Sequence, residues 1–249
     1  MNKYIKNPNK IEFVITNACT GRCKHCSEGD HKSSAKKINP AVAADAVRKI
    51  AACYDIKTVM TFGGEPLLYP ESVYEIMSSA KELNIPKRQV ITNGYFSTDP
   101  EKINEVAKRL SECGVNDLLL SVDAFHQEYI PIRVVKTFAY EAKKHNVPIR
   151  LQPAWLVSST NENPYNRATR EILNSFADME IPESDGNVIF PEGNALKYLS
   201  EYFTDNTPQN PYTEDPCDVK CISFGADGSV LGNNVYHSDI LEIIKNYTP

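Results

Sequence analysis

The chain has 249 residues, a formal net charge of −5, 41% hydrophobic and 24% charged residues. This is the composition of a globular α/β unit of ~250 residues or of one domain with an appendage, and it excludes disordered and collagen-like polymers. The longest apolar run, Ile50 to Tyr54, has five residues where a bilayer span needs ~18–20; the first ten residues carry no apolar secretory segment, and the acidic balance argues against a nucleic-acid footprint. A membrane or nucleic-acid partner is therefore not expected.

Read in chain order, short β-like runs alternate with helical periodicity. Strands are predicted at Ile11–Thr16, Thr58–Phe62, Gln89–Thr92, Asp117–Val122, Ile149–Leu156 and Val188–Phe190. Between them, Val73, Ile76, Met77, Ala80 and Leu83 share one helical face, as do Ile103, Val106, Ala107 and Leu110. Val135, Phe138, Ala139 and Ala142 form a third such face. Asn39-Pro40 and Asp99-Pro100 each put a capping side chain before a proline at the first helical position, whereas Tyr69-Pro70 supplies only the proline.

Strand starts from Thr58 onward recur at about the ~30-residue length of one βαβ step, which predicts parallel strands with helical crossovers. The first step is longer because it holds a cysteine loop. Six strands are visible where a closed barrel has ~8, so an open, partial (β/α)6 barrel is expected. Residues 1–200 are assigned to it. Residues 201–249 form a C-terminal extension: a loop at 204–216, a hairpin of Cys221–Gly225 and Ser229–Asn233 around Ala226-Asp227-Gly228, and a helix over about Ser238–Tyr247.

Seven cysteines, an odd number, with no secretory segment, do not read as a disulfide scaffold. A cytoplasmic protein with buried, catalytic or metal-bound thiols is expected. Cys19, Cys23 and Cys26 lie in one loop directly after the first strand, able to converge on one inorganic centre. A zinc knuckle with His25 or His31 as fourth ligand is an alternative, and so is a disulfide staple. Gly63, Gly64, Glu65 and Pro66 close the second strand at the edge where barrel ligands bind. The two glycines would let backbone approach a ligand, and Glu65 offers an acceptor to a cation or amine; alone, the same residues could be a plain turn. Cys53 and Cys113, at predicted helix ends, read as small core residues. His126 opens onto the site mouth, as a substrate contact or a structural histidine.

Together these residues resemble the radical SAM superfamily. The CxxxCxxC loop at 19–26 and Gly-Gly-Glu-Pro at 63–66 carry the resemblance. Ile91-Thr92-Asn93-Gly94, Ser121-Val122-Asp123 and Pro191-Glu192-Gly193-Asn194-Ala195 follow in the family's order. The resemblance implies one [4Fe–4S] cluster on Cys19, Cys23 and Cys26, with S-adenosylmethionine (SAM) at the open iron. An electron from an external donor, such as flavodoxin or ferredoxin, would cleave SAM to a 5′-deoxyadenosyl radical that takes hydrogen from a substrate. Glu65 would accept from the SAM amine. Asn93, Ser121, Asp123 and Gln152 sit at strand ends, where further SAM contacts are expected by position; Ser121 or Asp123 could instead cap the next helix. His25 stands where the family has an aromatic residue and would pack against adenine. Asn194 replaces the family's arginine, which puts a SAM contact from that side chain in doubt.

Cys217 and Cys221 resemble the start of a SPASM or twitch extension, truncated because no cysteine follows. That biases the substrate towards peptides or proteins, modified by epimerisation or cross-linking. Three roles stay open for the pair: a second cluster, structure, or donation of a hydrogen atom into the barrel mouth. Only ten residues precede the first strand, so a peptide leader is expected to bind a separate protein or to be unnecessary. A glycyl-radical activase, a small-metabolite enzyme and a non-enzymatic iron–sulfur or zinc module are the alternatives.

Overall fold

The computed structural model describes residues 2–31, 36–205 and 207–249. Strands β1 (Lys10–Val14), β2 (Thr58–Phe62), β3 (Lys87–Thr92), β4 (Asp117–Ser121) and β5 (Ile149–Gln152) alternate with helices α1 (Pro40–Cys53), α2 (Pro70–Glu82), α3 (Pro100–Glu112), α4 (Ala124–Gln127) and α5 (Ile132–Lys144). After β5 come β6 (Ala154–Trp155), α6 (Pro164–Asn174), β7 (Asn187–Val188), α7 (Gly193–Tyr198), β8 (Cys221–Phe224), β9 (Ser229–Val230), β10 (Asn233–Asn234) and α8 (Ile240–Asn246).

The main sheet has six strands in the order β5-β4-β3-β2-β1-β8, all parallel, with β5 and β8 as unclosed edges. This is the layout expected of a partial barrel, but its sixth strand is not the expected one. Cys221–Phe224 lies beside β1 in register with Lys10–Phe13. Asn187–Val188 instead pairs with Ala154–Trp155 in a separate two-stranded ladder. The predicted strand Ile149–Leu156 breaks at Pro153, which has no N–H to give a ladder. The outer edge of β5 is covered by residues 182–184: Leu151 N donates to the Pro182 carbonyl and Ser184 N to the Leu151 carbonyl, both at 2.9 Å.

The expected hairpin is also rearranged. The chain reverses through Gly225–Gly228, where Gly225 N donates to the Ser229 carbonyl at 2.8 Å, but Ser229–Val230 pairs with Asn233–Asn234. The extension is thus built into the barrel: Ile222, Phe224, Val230, Ile243 and Ile244 share one core with Phe13, Val59, Leu118 and Phe138. Helix starts follow their caps. Asn39 Oδ1 accepts from Ala41 N and Val42 N, and Asp99 Oδ1 from Glu101 N, while Tyr69 gives no side-chain cap. Among the described residues no helix is long and apolar enough to cross a membrane.

A second, smaller core joins the cysteine loop to the segment after β5. Cys23, Phe125, Ala154, Leu156, Ile189, Ala195 and Leu199 pack there, and the Phe125 ring stacks on Tyr165 at 4.7 Å.

Candidate active site at the carboxyl ends of the strands

The cysteine loop leaves the carboxyl end of β1 and is pinned to the turn after β2. Gly64 N donates to the Thr16 carbonyl and Glu65 N to the Ala18 carbonyl, each at 2.8 Å. A Cβ on Gly64 would fall on the Ala18 carbonyl oxygen and lie 2.6 Å from its carbon. Gly63 has φ +135°, and a Cβ there would sit 2.6 Å from the Thr16 carbonyl oxygen. Both glycines are thus required by backbone crossing backbone. They were expected to admit a cofactor; what they admit is the chain's own cysteine loop. Pro66 opens the 3-10 turn Pro66–Leu68, which Glu65 caps.

The other side of the loop is held by the segment before α7. Asn194 N donates to the Cys26 carbonyl at 2.9 Å and Asn194 Nδ2 to the Cys23 carbonyl at 3.3 Å. Gly193, at φ +52°, lies against the Cys26 and Ser27 carbonyls. Asn194 therefore holds the loop, a role its place in the motif did not reveal.

Within this frame Cys19, Cys23 and Cys26 converge. All three thiol pKa values are raised, first by burial; Cys19, pushed up to about 12, is raised further by Glu65 and Cys26, Cys23 by Asp123, Cys19 and Cys26, and Cys26 by Glu28 and Asp30. Cys19 Sγ accepts from Gly21 N at 3.3 Å. Cys26 Sγ lies 3.3 Å from His31 Nε2, and His31 Nδ1 donates to the Asn17 carbonyl at 2.8 Å. A carbonyl only accepts, so in the neutral ring Nε2 is the acceptor facing Cys26.

Glu65 is fully buried. Its Oε1 accepts from Leu67 N at 2.9 Å and Thr92 Oγ1 at 2.7 Å, and its Oε2 accepts from Asn93 N at 2.8 Å. Burial pushes its pKa up to about 7 against these donors. A carboxylate oxygen can accept from two donors, and among the described residues Oε2 has one, Asn93 N. Thr92, which sequence reasoning passed over, is the side chain that orients Glu65; its place at the end of β3 was the available signal.

Asp123 follows the second of its two expected readings, the helix cap. Its Oδ1 accepts from Phe125 N and His126 N, and its Oδ2 from His126 Nδ1 at 2.8 Å and Ala154 N at 3.1 Å. Both oxygens are saturated and the residue is fully buried. It caps α4 and orients His126; it has no lone pair left for SAM. Burial alone would raise its pKa, but the His126 ring and these hydrogen bonds hold it well below the usual carboxylate range.

His25 and His126 meet edge to face at 4.9 Å, and His25 tilts against Phe125 at 5.0 Å. Ligand atoms of Cys23, His25 and His126 lie within 4.8 Å of one another. His25 Nδ1 is buried with no hydrogen-bond partner among the described residues, and burial lowers its pKa to about 4. His25 thus packs on protein aromatic rings, with one orphaned nitrogen in the site. Ser121 and Gln152 stand side by side at the ends of β4 and β5, and Gln152 Oε1 accepts from Ser184 Oγ at 2.5 Å.

Three converging thiols, an orphaned buried nitrogen and a carboxylate whose Oε2 has one donor among the described residues suit an iron–sulfur cluster with a ligand bearing an amine.

Cys217 and Cys221 are not at this site. Cys221 is in register with Lys10, at the amino end of β1, and Cys217 precedes it on an exposed stretch. The cysteine loop leaves the opposite end, about four residues or ~13 Å along the strand. Neither thiol enters the barrel mouth, so of the three roles left open for the pair, hydrogen donation into the mouth is the one the placement speaks against. Cys53 ends α1 and Cys113 caps the end of α3; crossover helices run against the strands, so both also lie towards the amino edge. Cys113 is buried as expected, whereas Cys53 is exposed.

A family model described as the radical SAM superfamily matches residues 13–147, just over half of the chain. A protein of Methanocaldococcus jannaschii named as a GTP 3′,8-cyclase is 25% identical over 126 residues, covering 51% of this chain and 40% of its own length. A Bacillus subtilis protein named for peptide biosynthesis, YydG, is 21% identical over 172 residues, covering 69% of this chain and 52% of its own. The chain thus spans about half the length of these curated relatives. Its fold is similar to native anSMEcpe with bound AdoMet and Kp18Cys peptide: TM-score 0.59, 16% identity, covering 96% of this chain and 80% of that one.

Proposed function

Because the chain belongs to the radical SAM superfamily, an enzyme family that uses a [4Fe–4S] cluster and SAM, we propose that it modifies a residue of a peptide by radical chemistry. Cys19, Cys23 and Cys26 hold the cluster, and the second acceptor position of Glu65 Oε2 takes the SAM amine by a charge-assisted hydrogen bond. When bound, the cluster supplies an electron to SAM, whose cleavage to methionine and 5′-deoxyadenosine is coupled to removal of a hydrogen atom from the substrate. The chain's own residues supply placement. The Gly64 and Glu65 amides and Asn194 fix the loop from two sides, Thr92 and Asn93 orient the carboxylate, and Asp123 holds His126 beside Cys23. The two-sided clamp on the three-cysteine loop, facing a buried Glu65, is the observation that carries the proposal.

The peptide substrate is supported by the likeness to YydG along more than two thirds of this chain. GTP is the second reading, favoured by the likeness to the cyclase. The test is label transfer. Reduced, reconstituted enzyme is incubated with SAM and either peptides deuterated at carbon or GTP deuterated on the ribose. Deuterium in 5′-deoxyadenosine from a peptide supports the proposal; deuterium from GTP alone overturns it.

A further inference from the structure

We infer that Asn93 is a tuning residue for the cluster: its side-chain amide donates to the Cys19 sulfur and raises the cluster's reduction potential. This rests on the assignment of Cys19 as a cluster ligand. Asn93 was expected to face SAM, and the structure turns its side chain elsewhere. Asn93 Nδ2 lies 3.6 Å from Cys19 Sγ and 3.3 Å from Thr20 Oγ1. Its Oδ1 accepts from Tyr95 N at 2.8 Å, which settles the amide orientation, since the reversed amide would point NH2 at an N–H. The backbone N–H of Asn93 is bonded to Glu65 Oε2, so the residue is held at both ends. Only 4% of Asn93 is exposed, so the donor works in a region poor in water.

The physical consequence follows from charge. A thiolate-bound cluster gains one negative charge on reduction. A fixed N–H dipole aimed at a ligand sulfur stabilises the reduced state more than the oxidised one, and burial strengthens the effect. Outer hydrogen bonds of this kind tune metal centres without touching the metal. The sulfur of Cys19 also accepts from Gly21 N, so it carries two donors.

The test is a potentiometric titration of the full chain, reconstituted anaerobically, without SAM, and followed by electron paramagnetic resonance. Asn93→Ser keeps a short acceptor for Tyr95 N but loses the reach to Cys19. Asn93→Asp keeps the shape, loses the donor and adds a charge. Asn93→Ser is expected to bind the wild-type amount of iron with a midpoint about 59 mV more negative, a tenfold drop in the one-electron reduction equilibrium. Asn93→Asp is expected to lie lower still. An unchanged or more positive midpoint in Asn93→Ser overturns the inference. So does failure of both variants to assemble a cluster that the wild type assembles, since Asn93 is then structural. A wild type that takes up no iron overturns the cluster assignment itself.

Discussion

Replacing Gly64 by alanine should separate the cysteine loop from the turn that pins it. The added Cβ falls on the Ala18 carbonyl, 2.6 Å from its carbon and 3.1 Å from the Asn17 carbonyl carbon, so only backbone can yield. The hydrogen bonds at risk are Gly64 N to the Thr16 carbonyl and Glu65 N to the Ala18 carbonyl. Each is worth about 1 kcal/mol net, and overpacking adds about 1–3 kcal/mol. A loss of about 3–5 kcal/mol in a chain of this size lowers the melting temperature by on the order of 10 °C. Gly232→Ala is the matched control: φ is +72° with no atom within 4 Å of its Cβ, so only the left-handed backbone costs, about 1–2 kcal/mol. Circular-dichroism melts under nitrogen and iron counts after reconstitution are the assays. A Gly64→Ala protein that melts no lower than Gly232→Ala and takes up full iron would refute the claim that backbone crossing at Gly64 shapes the site.

Three further outcomes follow. Asp123→Asn keeps the cap through Oδ1 but turns an NH2 towards His126 Nδ1 and Ala154 N, so urea unfolding should show a loss of about 3 kcal/mol; a loss under about 1 kcal/mol contradicts the saturated-carboxylate account. Changing Cys53 and Cys217 to Ser, and Cys113 and Cys221 to Ala, should leave iron content and SAM cleavage intact, because all lie away from the cluster loop; loss of deuterium uptake from solvent into product would restore a thiol donor. Asp117, bonded by Arg150 and Lys87, has a lowered pKa because these partners outweigh its burial. A depressed carboxylate contributes stability above its unfolded pKa of about 3.9 and loses it as pH falls through the folded value. The stability gap between wild type and Asp117→Asn should therefore be full at neutral pH and shrink in acid below that unfolded value; a gap that widens in acid contradicts the assignment.

The elements that could be read from the chain are those with local causes. Asn39-Pro40 and Asp99-Pro100 begin helices with the expected capping bonds, and the ~30-residue step puts β2 to β5 side by side in parallel. The start of α6 at Asn163-Pro164 was not among the helix starts read from the sequence, although Asn163 Oδ1 caps it by accepting from Asn166 N. What was not legible is non-local. Cys221–Phe224 joins β1 across some 200 residues of sequence, and nothing in CISF distinguishes that partner from a hairpin one. Val188 lies in an equally short run, and only the break at Pro153 moves its pairing to β6. Side chains at strand ends divide in the same way. Position placed Glu65, Asn93 and Asp123 at the site, but their partners decide their roles. Glu65 Oε2 has one donor among the described residues, Asn93 turns to Cys19, and Asp123 is consumed by its own helix and His126.

The central claim is that three thiolates and Glu65 present a cluster to SAM. Electron paramagnetic resonance of the reduced, reconstituted chain, recorded before and after SAM is added, tests it most directly. The account predicts a signal from one [4Fe–4S] cluster per chain that changes shape when SAM binds. In Glu65→Ala the signal should form but respond only at higher SAM concentration. A chain that takes up zinc in place of iron, or a cluster signal that SAM leaves unchanged in the wild type, would contradict it.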